Sequence, residues 1–306
     1  MARSDNITGA LLMMASMAAF TFNDALIKTL AGEIPLFQVM FMRGVVTTIA
    51  VAIIASRMGV LGRALPREDW GPVFFRMVGE IGSAYFFVTA LFNMPIANIS
   101  AIMQALPLTI TLAAALFFRE PVGWRRMLAI AVGFVGVMLI VRPGTEGFNV
   151  YSVYGLAAVS FVTLRDMATR RLSRDVPSMT VTLITSVFIM TFFGLASLSE
   201  PWAPVDTRAA LVIGGAAVMI IGGYLFSIMV MRVGEIGFIA PFRYTSLIWA
   251  LALGWLVFGD WPQTITLVGA GIVVASGLFT LYREMQVSRR ARAEQKRRLS
   301  LGPRPR

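Results

Sequence analysis

A few ionisable and amide side chains stand inside long apolar runs of this sequence, and they define what chemistry the chain can do. They are Asn23 and Asp24, Arg43, Arg76 and Glu80, Asn98 and Gln104, Arg165 and Asp166, and the run Arg243-Tyr244-Thr245. The chain has no His and no Cys, so imidazole bases, thiolate nucleophiles, disulfides and the usual zinc sites are absent. No GxxxxGK[ST] loop is present to cradle ATP phosphates. What remains suits binding, charge pairing and proton exchange. An ionisable group in an apolar segment costs at least a few kcal/mol, roughly, and faces either a partner or a water-filled path.

Spacing suggests the partners. Asp24 lies late in one run and Arg43 early in the next, so two antiparallel helices bring them to similar depth, where a direct carboxylate–guanidinium pair is expected. That pair either locks the hairpin or lines a pathway, with Asn23 beside it as donor and acceptor. Arg76 and Glu80 are four apart and are expected to pair along one helix face. Glu80 falls near mid-run, where burial raises a carboxyl pKa and allows it to carry a proton; the alternative is a structural pair. Arg165, Asp166 and Arg170 read as an inner gate pair or simply as interface.

Pro241 precedes Arg243, Tyr244 and Thr245 and removes a helix hydrogen bond there, freeing a carbonyl beside a cavity. These three residues are expected to bind an aromatic, hydrogen-bonding ligand; the other reading of Arg243 is a side chain snorkelling to the membrane surface. Gln104, with Asn98 on the same helix, is expected to face them.

The elements that must position these groups are membrane helices. The chain of 306 residues is 57% hydrophobic and 14% charged, with a mean hydropathy of +0.75, against about 25% charged residues in soluble domains. A water-soluble globule and a disordered chain are excluded. Hydrophobic runs between turn signals give ten spans, at 7–30, 36–56, 71–92, 96–118, 127–141, 151–169, 178–198, 209–231, 236–258 and 264–282. The first reads as a retained helix, not a cleaved signal. Lys28, Arg142 and Arg208 are the basic residues in the segments of one side, and the remaining basic residues outside the spans fall on the other, Arg63, Arg174 and Arg232 among them. The positive-inside rule then places both termini in the cytoplasm. The net charge of +11 is explained by these loops and by the basic tail 283–306, which suits anionic lipid and calls for no nucleic acid. Trp70, Trp124, Trp202 and Trp261 read as interfacial anchors. The small-residue pair Ala129-x3-Gly133 serves internal packing or a homodimer.

The two halves are related. A shift of 140 aligns Gly82 with Gly222, Phe86 with Phe226, Ile96 with Ile236, Phe118 with Phe258 and Glu120 with Asp260. A shift of 142 aligns Asp24 with Asp166 and Lys28 with Arg170. Five spans per half is odd, so the second repeat is inverted in the membrane. Arg125 and Arg126 follow Glu120, whereas no base follows Asp260 closely, as inversion requires. The expected fold is an all-α polytopic membrane protein of ten transmembrane helices, as two inverted five-helix repeats at 7–141 and 151–282. Inverted repeats are a mark of secondary transporters, whose site lies near the midplane.

Two segments carry a family resemblance. "ALPLTITLAAALFFREPVGWRRMLAIAVGFVGVMLIVRPG" and "SLIWALALGWLVFGDWPQTITLVGAGIVVASGLF" each show a helix ending near an acid, a turn and a glycine-interrupted helix. The chain thereby resembles the drug/metabolite transporter superfamily, as a tandem pair of EamA-type domains; Asp260 is a shorter substitute for the acid this pattern uses. The opening stretch "GALLMMASMAAFTFNDALIKTLAGEIPLFQVMFMRG" is similar to the proteobacterial riboflavin-uptake branch. S-adenosylmethionine carriers have a similar first hairpin. The resemblance implies a carrier of small metabolites in the bacterial inner membrane, without ATP hydrolysis or cofactor, working by alternating access.

The expectation is uptake of riboflavin, with S-adenosylmethionine uptake and amino-acid or drug efflux as alternatives. An intramembrane enzyme or scaffold is a more remote one. Mechanistically, the two halves are expected to rock about a midplane site in which Gln104, Arg243 and Tyr244 touch the ligand.

Overall fold

The computed structural model describes residues 2–59, 65–120, 122–145, 148–173, 176–230, 233 and 236–300. Arg63, Arg174, Arg232 and the last six residues of the basic tail, which contributed to the charge asymmetry, lie outside them. The described residues are helical, with helices α1 (Ala2–Lys28), α2 (Leu36–Arg57), α3 (Trp70–Asn93), α4 (Ile96–Met103), α5 (Leu106–Phe117), α6 (Trp124–Val141), α7 (Tyr151–Arg170), α8 (Ser178–Ser197), α9 (Thr207–Val230), α10 (Ile236–Ile239), α11 (Thr245–Phe258) and α12 (Thr264–Ser300). Among them, nine stretches are long and apolar enough to cross a membrane, with α4–α5 counted as one. The additional long helix, α7, has 20 residues, about 30 Å of rise. It is more polar because it carries Arg165, Asp166 and Arg170.

The expected fourth span is two helices. Pro107 has no N–H to donate to the Met103 carbonyl, and the chain tightens at Gln104 and Ala105, where Ala105 N donates to Ile102 O at 3.0 Å. The expected ninth span is broken at the equivalent place, where a 3-10 turn over Ala240–Tyr244 separates α10 from α11. The shift of 140 superposes Gln104 on Tyr244 although the two prolines responsible, Pro107 and Pro241, are not equivalent. The tenth span runs on as helix to Ser300, well beyond residue 282.

Packing joins the repeats to one another. Ser16 Oγ on α1 donates to Gly223 O on α9 at 2.8 Å, while a Cβ on Gly215 would rest on Leu26 near the other end of α1. These helices are therefore antiparallel. On α3 and α7, Gly79 meets Arg165 and Phe86 meets Tyr154. On α2 and α8, Phe41 meets Gly194 and Thr48 bonds Ser186 O. On α6 and α12, Gly136 meets the Gly269 carbonyl and Arg142 bonds Thr266 at the other end. Equivalent helices, such as α2 and α8, lie side by side and antiparallel, which is the signature of an inverted two-fold repeat. The long helices of each repeat pack on helices of the other.

Two apolar clusters flank the interior. One gathers Ile96, Ile99, Ile102, Leu108, Val137, Val159, Leu253 and Val273 around α4. The other gathers Ile27, Leu30, Val39, Phe193 and Ile213 between α1, α2, α8 and α9. Gly133 of the small-residue pair on α6 is covered within the chain by Leu108 and Ser276. Exposed Phe74, Phe117, Leu128, Val135, Leu211 and Leu256 give the outer face the apolar character a bilayer requires.

A candidate transport site between the repeats

On α1, Asn23 is 3% exposed and turns toward α2, whereas Asp24 is half-buried one helical step round. The expected direct pairing of Asp24 with Arg43 is replaced by a relay. Arg43 donates to Asn23 Oδ1 at 3.3 Å, and Asn23 Nδ2 donates to Asp24 Oδ1 at 2.9 Å. Consecutive helix positions differ by about 100° in direction, so the residue facing α2 is Asn23, and its amide serves both charges at once.

The second half of the cluster comes from α3 and α7. A Cβ at Gly79 would collide with the Arg165 backbone, and one at Gly82 with the Phe161 ring, so the two helices approach as closely as glycine permits. This approach overturns the expected Arg76–Glu80 pair. Arg165 reaches Glu80 at 3.5 Å and Asp166 at 2.8 Å, while Arg76 donates to Thr169 Oγ1. A cross-helix guanidinium outcompetes the neighbour four residues back because the glycines remove the side chains that would hold α7 away. Glu80 Oε2 is buried and, apart from this ion pair, accepts no hydrogen bond. Arg170, expected beside Asp166, pairs with Glu120 instead, at 3.2 Å.

Tyr224 on α9 links the two halves. Glu80, Arg165, Arg43 and Arg76 all lie within electrostatic range of its hydroxyl. Its ring meets Phe20 edge-on at 5.2 Å, and Gly223 leaves room for that contact. Tyr224 is 47% exposed. Aromatic surface continues on the α3–α7 seam, where Phe86 stacks on Phe161 at 5.4 Å and 17° and meets Tyr154 edge-on. The result is a group of three acids (Asp24, Glu80, Asp166) and three arginines (Arg43, Arg76, Arg165) with aromatic rings alongside, drawn from five helices. It can hold a polar ligand by hydrogen bonds and flat faces. Among the described residues no group of acids is arranged to hold a metal ion.

The expected residues of α4 and α11 form a separate set at the helix breaks. Gln104 Nε2 donates to Ser246 Oγ at 2.8 Å, joining the two breaks directly. Tyr244 is buried with its hydroxyl pressed toward Gly277 and no hydrogen-bond partner. Thr245 Oγ1 donates to the Phe242 carbonyl one turn back. Arg243 is exposed, and Asn98 Oδ1 is buried without a partner. Of the residues singled out from sequence, Asn23, Asp24, Arg43 and Glu80 belong to the charged group. Asn98, Gln104, Arg243, Tyr244 and Thr245 do not join it.

Sequence reasoning did not bring Arg165 and Tyr224 into this charged group. The signal for Arg165 was the repeat itself, since Arg165-Asp166 is the equivalent of Asn23-Asp24. Tyr224 directly follows the pair Gly222-Gly223, whose first member is the repeat equivalent of Gly82.

Comparison with known proteins agrees with this architecture. The model of the EamA-like transporter family matches residues 7–142 and 150–282. A riboflavin transporter of Vibrio cholerae is 29% identical over 80% of this chain and 83% of its own. An S-adenosylmethionine uptake transporter of Rickettsia felis is 25% identical over 94% and 97%. A pseudopaline exporter of Pseudomonas aeruginosa is 23% identical over 87% and 93%. A solved crystal structure superposes with a TM-score of 0.61 at 19% identity, covering 88% of this chain and 94% of its own, so it shares the fold.

Proposed function

Since this chain belongs to the EamA-like transporter family, as a two-repeat, multi-pass protein of the bacterial inner membrane, we propose that it takes up riboflavin through the charged and aromatic group between its repeats. The observation that carries this reading is the balance of that group, three acids against three arginines beside the Tyr224, Phe20 and Phe86 rings. Riboflavin is uncharged, with a flat tricyclic ring and a chain of hydroxyls. It asks for aromatic faces and hydrogen-bonding groups and no surplus charge. S-adenosylmethionine carries a net positive charge and favours a site with acid in excess. The printed function of the Vibrio cholerae relative points the same way.

The termini face the cytoplasm in this reading, and the ligand moves inward down a gradient that intracellular phosphorylation of the vitamin maintains. Asp24, Glu80 and Tyr224 offer hydrogen bonds to the hydroxyl chain, with Arg165 bound to Glu80 and Asp166 and Arg43 bound to Asn23. The test is growth of a bacterium that lacks both riboflavin synthesis and an importer, supplied with this gene. Rescue at low external riboflavin, with the requirement raised by Tyr224→Phe at equal membrane expression, supports the reading. No rescue despite membrane insertion discards riboflavin, and accumulation of labelled S-adenosylmethionine would replace it.

A further inference from the structure

The two ends of the bundle carry the same parts in different states. At one end, Lys28 Nζ donates to the Leu91 carbonyl at 2.8 Å and the Met94 carbonyl at 2.7 Å, two acceptors left open where α3 stops. The ammonium stands 5.4 Å from the centre of the Phe258 ring, and Asp260 adds its negative charge nearby. Lys28 thus ties α1 to α3 and α11 over the buried side chains of Leu91 and Met94.

At the other end, Arg170 pairs with Glu120 at 3.2 Å, and the Arg171 guanidinium lies 5.4 Å from the Phe118 ring. The repeat register maps Lys28 onto Arg170, Phe258 onto Phe118 and Asp260 onto Glu120. A base at the end of one helix, a Phe at the end of another and an acid two residues later therefore occur twice, once at each end. Their surroundings differ. Lys28 is half-buried and bound to backbone carbonyls, whereas Arg170 and Glu120 are both exposed. A crevice of about 230 Å³ opens at the Arg170 end, bordered by Arg76, Thr169, Leu172 and Val181.

One end is seated on backbone carbonyls and the other is an exposed ion pair beside a crevice, and an inverted repeat of this kind has a second arrangement in which the two ends exchange surroundings. We propose that Lys28 and Arg170 are the alternating latches of the transport cycle. Lys28, seated on the carbonyls of α3 and the Phe258 ring, shuts its end in the arrangement seen here. Arg170, with Glu120 and the Phe118 ring, shuts the opposite end in the exchanged arrangement. The inference rests on membership of a transporter family and not on the choice of substrate, and its test uses no substrate.

The chain contains no cysteine, so one introduced thiol reports without background. Met94→Cys keeps the backbone carbonyl that Lys28 binds and places the thiol at a position 4% exposed. Maleimide labelling of this purified variant in lipid vesicles is expected to be slow. Adding Lys28→Met is expected to speed it about tenfold, Lys28→Arg to leave it slow, and Arg170→Met to slow it further. Ala101→Cys, in the core around α4, is expected to stay unlabelled in each background and so reports the integrity of the fold. The proposal is overturned if Lys28→Met leaves Met94→Cys labelling unchanged. It is also overturned if Arg170→Met shifts labelling in the same direction as Lys28→Met, or if Lys28→Met exposes Ala101→Cys, which would make Lys28 an anchor of the fold.

Discussion

Removing Arg165 should uncouple two acids that share it, and the structure sets the size of the effect. At the 3.5 Å separation from Glu80, the gross attraction is about 5 kcal/mol at an effective dielectric near 20. The side chains are 26% exposed for Arg165, 16% for Glu80 and 31% for Asp166, so the group is neither dry nor fully solvated. Breaking a buried pair by deleting one partner costs about 3–5 kcal/mol, and the partial exposure brings Arg165→Met to about 2–3 kcal/mol on that scale. Glu80→Gln leaves Arg165 its bond to Asp166 and should cost about 1 kcal/mol. With both changes made, the second acts on a site that no longer holds the ion pair. The double variant should therefore lose about 1–2 kcal/mol less than the sum of the single losses. Thermal unfolding of the purified protein in detergent reads this at about 2–4 °C per kcal/mol, so Arg165→Met should lower the midpoint by roughly 4–12 °C. Additivity of the two changes would show that Glu80 and Arg165 are not coupled and would remove the α3–α7 ion pair from the argument.

Gly136→Ala would bring a Cβ to 2.8 Å from the Gly269 carbonyl oxygen, with Ile272 and Val273 also too close. It is expected to cost about 1–3 kcal/mol by overpacking, measured as a lower unfolding midpoint with substrate affinity unchanged. Gln104→Leu removes the bond to Ser246 that joins the two helix breaks. A stability loss of about 0.5–1.5 kcal/mol together with altered transport rate is expected, and an unchanged rate would confine Gln104 to a structural role. Asn23→Leu deletes the relay between Asp24 and Arg43. Uptake should fall steeply at equal membrane expression, and Asn23→Asp, which keeps an acceptor for Arg43, should retain more of it.

The sequence by itself determined the membrane-spanning class, the number of long spans to within the more polar α7, and the repeat, because each follows from local hydropathy and spacing. It also identified Asn23, Asp24, Arg43 and Glu80, since an ionisable or amide side chain in an apolar run is visible without a partner. The partners were decided by tertiary structure. Asp24 and Arg43 were matched by depth alone, and depth does not say which face of α1 meets α2; that face belongs to Asn23. Arg76 and Glu80 were matched by helical spacing, and the close approach of α7 over Gly79 and Gly82 gave Glu80 to Arg165. Gln104 and Tyr244, matched by the repeat register, both lie at helix breaks. Yet one joins the breaks through Ser246 while the other is buried against Gly277, a difference set by how the Ala240–Tyr244 turn packs on α12. A periodic pattern fixes where a side chain lies along its helix, and only the neighbouring helix fixes what it touches.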